Sequence, residues 1–296
     1  MIPTEYAILD DEQLVELLFM VEDRLDLDAA LEIAGREAMM PLLGQIVMTK
    51  HNWLAELPEW WAVVHASYLL GKHAGADVVQ PLLASLRWSD AFDCDWVTEV
   101  LPSIFGSIGP ASLAGLVSVA RDACAGWSAR DVAMKSLASI ALKDSTQQEH
   151  VFRIIGQIFM DEMEDRAVRQ LAGRILMDFR CQEFRMALLK FAKEEYNLYA
   201  GDAWYVMGFT PEEVELIFKN RQQEIWHYED DWMRFYQPAE IQRRQKRWVR
   251  ERLGASKGGR RNNPGGGRVF HLYRGDQEPE LGPPEFPNHD PEGKGD

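Results

Sequence analysis

Three cysteines and seven histidines are the residues of this 296-residue chain best suited to metal or nucleophilic chemistry. Cys94, Cys124 and Cys181 lie far apart and form no CxxC pair. A structural zinc site usually takes four thiolate or imidazole ligands, and an odd number of scattered cysteines is not a disulfide framework. The spacing therefore predicts inert, semi-buried thiols, no metal and no cofactor, and it is typical of a reducing cytoplasm.

A basic segment near the C-terminus could bind phosphate. Residues 243–274 hold eleven Lys or Arg and one acid, and because the whole chain carries −15, the other residues carry −25. Nucleic-acid binding depends on basic groups that displace counterions, so the acidic remainder is a poor candidate for it. In a helix predicted at 238–253, the candidate contacts are Arg243, Arg244, Lys246, Arg247 and Arg250. That helix suits RNA, an anionic lipid or the acidic surface of the same protein.

A repeat of 35 residues predicts the elements that must carry any site. Apolar or small residues recur at i, i+4 and i+8, which is one face of an α-helix. The sets are Ala62, Ala66, Leu70; Val97, Leu101, Phe105; Val132, Ser136, Ile140; and Ala167, Leu171, Ile175. A fainter set, Leu27 and Leu31, precedes them.

A second helix follows each member of the repeat. Its residues have the i, i+3, i+4, i+7 spacing of an amphipathic helix, as in Met39-Leu42-Leu43-Ile46 and Val151-Ile154-Ile155-Ile158. Five such pairs cover about 27–195, and a helix at Leu14 to Val21 caps the N-terminal end. Since no pair can bury its apolar stripe alone, neighbouring pairs must stack. The fold class predicted is all-α, a right-handed α-solenoid.

The repeats resemble a known family. Residues 132–140 (VAMKSLASI) and 165–172 (DRAVRQLA) resemble HEAT-like repeats of the phycobilisome-lyase type. Residues 235–248 resemble a segment in uncharacterised bacterial HEAT-like proteins that often end in a zinc-binding SEC-C motif. Residues 259–268 share that motif's glycines but none of its cysteines, so they are a decayed motif or a chance match. The resemblance implies a fold and leaves the function open.

Enzymes with HEAT-like folds are the alternatives. The deoxyhypusine-hydroxylase type holds two irons with His-Glu pairs, whereas here the matching column has one histidine, His65, and no paired glutamate. HEAT-like DNA glycosylases use tryptophans and an aspartate on a basic face, but residues 75–100 carry one Arg against five acids. The chemistry of HEAT-like bilin lyases cannot be recognised from any residue spacing in this sequence. These patterns indicate no catalytic residue and favour a non-enzymatic protein.

The remaining segments complete the predicted organisation. Val100 to Ala120 is long and uncharged enough to span a membrane, but Gly109-Pro110 interrupts it, so a buried helical hairpin is preferred. The N-terminus lacks the features of a signal peptide. Residues 224–236, rich in aromatic and acidic side chains, are expected to form a closing helix over the end of the stack or a partner-binding patch. The predicted domains are a solenoid over 1–220, a helical extension over 221–253 and a disordered tail over 254–296.

The function preferred on these grounds is a cytoplasmic adaptor for a protein partner. Its inner face would be lined by the second helices, where the spacing predicts exposed polar residues: Gln80, Ser85, Arg87, Ser118, Arg121, Arg153 and Gln157. The alternative is an RNA- or ribosome-associated protein that binds through residues 243–268, and a third is an enzyme built on a binding fold.

Overall fold

Helices form all the regular structure in the computed structural model, which describes residues 5–73, 75–199, 208–220 and 225–257. Side chains are described for these residues except 196–199, 226 and 253–257. No β-strand occurs in these ranges, so the all-α fold class predicted from the sequence is confirmed.

The helices follow the predicted order. Their bounds are α1 Asp11–Met20, α2 Leu27–Gly35, α3 Met39–Met48, α4 Lys50–Trp53, α5 Trp61–Leu70, α6 Val79–Ala91, α7 Asp95–Thr98, α8 Leu101–Ile108, α9 Leu113–Arg121, α10 Trp127–Lys143, α11 Gln148–Met160, α12 Arg166–Asp178, α13 Arg185–Tyr199, α14 Pro211–Lys219 and α15 Pro238–Lys257. The first helices of the predicted pairs are α2, α5, α8, α10 and α12, and the second helices are α3, α6, α9, α11 and α13.

The apolar stripes of the repeat form the contacts between neighbouring pairs. Of the four sets on the first helices, every residue is buried except Ala167, which is partly exposed. α2 contacts α5, α8 contacts α10, and α10 contacts α12; α3 contacts α6, and α6 contacts α9. Each fully buried Leu or Ile contributes about 1.5–3 kcal/mol, so the buried stripes stabilise these helix–helix contacts.

The sequence predicts capping side chains at Ser128, Ser145 and Thr210, and the structure agrees at only one of these three helix starts. Thr210 caps α14 by accepting a hydrogen bond from the Glu213 amide at 3.1 Å. The prediction was wrong for Ser145, because the Asp144 carboxylate accepts from the Thr146 amide at 3.0 Å instead. It was also wrong for Ser128, since α10 begins one residue earlier, at Trp127. A side chain that can cap is outcompeted when a carboxylate stands beside it.

The uncharged stretch from Val100 to Ala120 contains two helices, α8 and α9. Asp95–Arg121 is the only stretch in the described ranges that is long and apolar enough to cross a membrane, and half of its apolar window is buried. Gly109, at φ 79°, ends α8 and separates it from α9. Ile104 and Phe105 are fully buried, and both α8 and α9 contact α10. The stretch is therefore part of the helical core.

The chain divides into two compact units, Met1–Gln242 and Arg243–Asp296. The first contains all the helix pairs and the segment 225–236. Of the second, the structure describes residues 243–257, which are helical. The tail predicted to be disordered lies outside the described residues, apart from 254–257, which belong to α15.

Candidate interaction surfaces

The residues suited to metal or nucleophilic chemistry lie apart from one another. Cys94 is buried, Cys181 is partly exposed and Cys124 is exposed. Burial raises the pKa of the Cys94 and Cys181 thiols to about 12, which disfavours the reactive thiolate. Cys124 is more exposed than the semi-buried position expected of it. Within the described ranges no three His, Cys, Asp or Glu side chains group as metal ligands.

His65 is held inside the protein by two hydrogen bonds. Its Nε2 lies 2.6 Å from the Glu22 carbonyl oxygen, which can only accept, so Nε2 carries the hydrogen. Its Nδ1 lies 3.2 Å from the Tyr236 hydroxyl, which donates to it in the uncharged ring. From the sequence alone, a single histidine on a helix is expected to be satisfied locally. The structure shows instead that it connects segments 43 and 171 residues away.

Most of the polar residues predicted on the second helices are exposed. Those open to solvent are Gln80, Ser118, Arg121, Arg153 and Gln157, and Arg87 is partly exposed. Ser85 is fully buried, and its hydroxyl lies 3.0 Å from that of Ser67 on α5. Its predicted exposure was wrong because α6 buries more than one stripe: it contacts α3, α5, α9 and α10.

Two hydrogen bonds connect the second helices at the repeat interval. Arg87 Nη2 donates to Asp122 Oδ2 at 3.0 Å, 35 residues further on. Arg121 Nη2 donates to Gln157 Oε1 at 2.6 Å, 36 residues further on. Arg153 pairs with Glu149 on its own helix. Partners one repeat apart therefore meet on this side of the stack, which also carries exposed apolar groups.

Exposed methionines and two open grooves lie among these polar residues. Met48 is 47% exposed, Met160 53% and Met186 73%. One groove of about 530 Å³ is lined by residues of α3 and α6, including Met40, Met48 and Pro81. Another of about 530 Å³ is lined by α11, α12 and α13, including Met160, Arg169 and Lys190. We give the name second-helix face to nine of the exposed or partly exposed side chains of the second helices: Met48, Gln80, Arg87, Ser118, Arg121, Arg153, Gln157, Met160 and Met186.

The first helices, unlike the second helices, are covered by another segment of the chain. Residues 225–236, which we call the strap, lie along them from α12 back to α5 as two 3-10 turns, Trp226–Tyr228 and Trp232–Tyr236, joined by 229–231. The sequence predicted a single closing helix at the end of the stack. No α-helix forms here, because the segment's polar groups bond with one first helix after another.

The strap meets successive first helices at nearly constant intervals. Ser139 on α10 donates its hydroxyl to the Tyr228 carbonyl at 2.6 Å. Ser103 on α8 accepts from the Asp230 amide at 2.7 Å. The Trp232 indole Nε1 donates to the backbone carbonyl of Tyr68 on α5 at 3.1 Å. The strap thus advances two residues for each repeat.

Each end of the strap is anchored by buried aromatic rings. The Tyr228 hydroxyl donates to Asp178 Oδ2 on α12 at 2.8 Å, and burial followed by this carboxylate raises the Tyr228 pKa well above its usual value. At the other end, the Phe235 ring packs 5.1 Å from Tyr68 and 5.9 Å from Trp96. Tyr228 and Tyr236 are fully buried. Aromatic contacts of this kind favour a fixed geometry.

The acidic groups around the strap are poorly neutralised. Asp131 on α10 is 8% exposed; one of its oxygens bonds to Lys135 Nζ at 2.7 Å, and the other has no hydrogen-bond partner. Burial raises the pKa of Asp131, and Asp178 adds to that rise. The pKa of Glu99 is also raised, by burial first and then by Asp95 and Asp230. The strap therefore brings negative charge towards helices that already carry it.

Within the described part of the second unit, residues 243–257, the basic residues lie on α15. Arg243, Lys246, Arg247 and Arg250 are exposed, as a surface contact requires. Arg244 is only 6% exposed, so its guanidinium is not open to solvent. The Arg247 guanidinium lies 4.7 Å from the Trp248 ring and 3.9 Å from Glu251. Residues 258–268, the rest of the predicted RNA-binding segment, lie outside the described residues.

No protein-family model, curated protein or solved structure matches the chain.

Proposed function

We propose that the protein is a HEAT-like α-solenoid that acts as a non-enzymatic scaffold, binding a protein partner through the second-helix face. The observation that carries this proposal is the composition of that face, which combines exposed methionines with exposed Arg, Gln and Ser, on helices that also line two grooves. Methionine is flexible and polarisable and is common at binding surfaces that adapt to a partner. Scattered polar groups then fix the orientation of what binds.

A protein fits this face better than a nucleic acid does. Its arginines do not form a basic stripe, because Arg87 and Arg153 are paired with Asp122 and Glu149. Paired guanidiniums release fewer counterions from a phosphate backbone. An apolar groove edge excludes water from a protein contact and adds about 25 cal/mol for each Å² of apolar surface covered.

Quantitative affinity purification of the full chain tests this proposal. Met48→Glu, Met160→Glu and Met186→Glu are combined, and the matched control is Met20→Glu, which alters an equally exposed methionine (68%) on α1. We expect at least one protein to co-purify with the wild type and the control and to be lost, by tenfold or more, with the triple variant. Equal recovery with all three proteins would refute a role of this face.

The second candidate function is RNA binding through α15, which the four exposed basic residues favour. Replacing Arg243, Lys246, Arg247 and Arg250 with Gln should remove binding to a labelled single-stranded RNA. It should also reduce the slope of log K against log salt. If wild-type protein shows no binding at low salt, this candidate is wrong.

A further inference from the structure

The first-helix side of the helix pairs has the features of a groove that recognises a peptide. Its polar contacts are Ser139, Ser103 and the Tyr68 carbonyl, contributed by α10, α8 and α5 in turn. They lie 36 and 35 residues apart in sequence, so the repeat itself generates the row. Successive helices thus offer one hydrogen-bonding group each at a regular spacing.

The strap occupies this row as a ligand would. Tyr228, Asp230 and Trp232 face the helices, whereas the residues between them, Glu229 and Asp231, are exposed. Between Tyr228 and Trp232 the strap residues therefore alternate between helix-facing and exposed positions. Two of its three central contacts use the strap's own main chain, at the Tyr228 carbonyl and the Asp230 amide. Main-chain contacts hold any sequence, and pockets for the side chains between them provide selectivity.

The pockets in this groove accept aromatic rings. One is formed by Trp61, His65, Tyr68 and Trp96 and holds Phe235 with ring centroids 5.1 to 6.3 Å apart. Another, at the α12 end, holds Tyr228 against the Phe179 ring at 4.9 Å and hydrogen-bonds its hydroxyl through Asp178. A ligand must bring an aromatic ring to each end to replace what the strap buries.

The centre of the strap is less favourable than its ends. Asp230 lies near Glu99 and Asp95, and these like charges raise the Glu99 pKa. Trp232 and Asp230 are only partly buried, whereas Tyr228 and Tyr236 are fully buried. The middle of the strap therefore fixes its position along the first helices but buries little apolar surface. The aromatic ends supply most of the binding energy between the strap and these helices.

We propose that the first-helix side is a receptor groove for a peptide with aromatic residues spaced as in the strap, and that the chain's own residues 225–236 keep it closed. A segment tethered in the same chain acts at an effective concentration in the millimolar range. A free peptide at micromolar concentration cannot displace it. Binding in trans requires that the strap be weakened while the groove stays intact.

The test uses the full chain with Trp232→Ala and Phe235→Ala, which empties two contacts without altering a groove residue. The control variant is Glu229→Ala with Arg234→Ala, two exposed strap positions. The probe is a fluorescein-labelled peptide of residues 225–237, and a peptide with Ala in place of Trp232 and Phe235 is its control. We expect the probe to bind the Trp232/Phe235 variant at least tenfold more tightly than it binds the wild type or the control variant. The Ala-substituted peptide should bind none of them.

If the Trp232/Phe235 variant has the wild-type helical circular dichroism and still does not bind the probe, the strap is a fixed part of the core and the proposal is wrong. Should that variant fail to fold, hydrogen exchange of the wild type decides the matter. The Asp230 amide should exchange at least tenfold faster than amides in the middle of α10, because the strap opens while the helices stay folded. Equal rates would overturn the proposal. Neither result depends on the second-helix face.

Discussion

The two sides of the helix pairs repeat with the same period but present opposite surfaces. The second helices carry Arg, Gln and Met that point to solvent and bond across repeats through long side chains, as Arg121 does with Gln157. The first helices carry short hydroxyls such as Ser103 and Ser139 that are fully buried. Short buried polar groups bind a backbone that comes close, whereas long exposed ones leave a surface free. One repeat therefore generates a side that is filled by the chain itself and a side that is open.

The largest effect in this comparison is expected at the aromatic end of the strap. Tyr236→Ala should lower the free energy of unfolding by about 3–5 kcal/mol, as truncation of a large buried ring does, because Tyr236 is fully buried against His65 and Phe235. Urea denaturation followed by circular dichroism measures it. The exposed neighbour substitution Arg234→Ala should change stability by less than about 0.5 kcal/mol. A similar loss in both variants would show that the strap's burial is not the cause.

A smaller loss is expected where the first helices approach one another beneath the strap. A Cβ at Gly106 would lie 2.1 Å from Ser139 Oγ, and that hydroxyl already bonds to the Tyr228 carbonyl. Gly106→Ala should therefore cost about 1–3 kcal/mol through overpacking. Gly35→Ala is the matched control, since a Cβ there meets nothing within 4 Å, and a helical Gly→Ala change should stabilise by up to about 1 kcal/mol. If both substitutions stabilise, α8 and α10 are not in close contact.

The buried carboxylate next to the strap should give a pH-dependent effect. Because the pKa of Asp131 is raised in the folded protein, its contribution to stability is present at pH below its unfolded pKa and is lost as pH rises through the folded pKa. The free energy of unfolding of Asp131→Asn, relative to that of the wild type, should therefore be higher at pH 7 than at pH 4. Parallel urea titrations at the two pH values measure the difference. A difference that stays constant, or that changes in the opposite direction, contradicts a raised pKa for this buried carboxylate.

The smallest effect is expected on the open side. Arg87 and Asp122 are both about one-third exposed, and such pairs contribute about 0.2–1 kcal/mol. A double-mutant cycle with Arg87→Ala and Asp122→Ala should give a coupling energy in that range that declines at 1 M salt. A coupling of several kcal/mol would mean that this side contributes to the fold and is not simply an open surface.

The helix pairs were predictable because their cause is local. Stripes such as Val151-Ile154-Ile155-Ile158 repeat within one helix, and Thr210-Pro211 marks a helix start through the neighbouring backbone. The open side was also largely predictable, since five of seven polar positions are exposed and a sixth, Arg87, is partly so. The exposure predicted for Ser85 was wrong because helical spacing gives the direction of a side chain but not the number of helices that pack on that side. A weak signal for the strap was present in Ser103 and Ser139, polar residues that lie among apolar neighbours in the sequence.

By itself, the sequence determined the helices, their pairing and the division of charge, because apolar periodicity and composition act over a few turns of chain. Tertiary structure alone decided where residues 225–236 lie. Their contacts join residues 50, 89, 127, 164 and 171 positions apart. No pattern within a single segment encodes such contacts, since the groove exists only after five first helices have packed. The sequence therefore fixed which residues could face a partner, and packing decided that one side was already occupied.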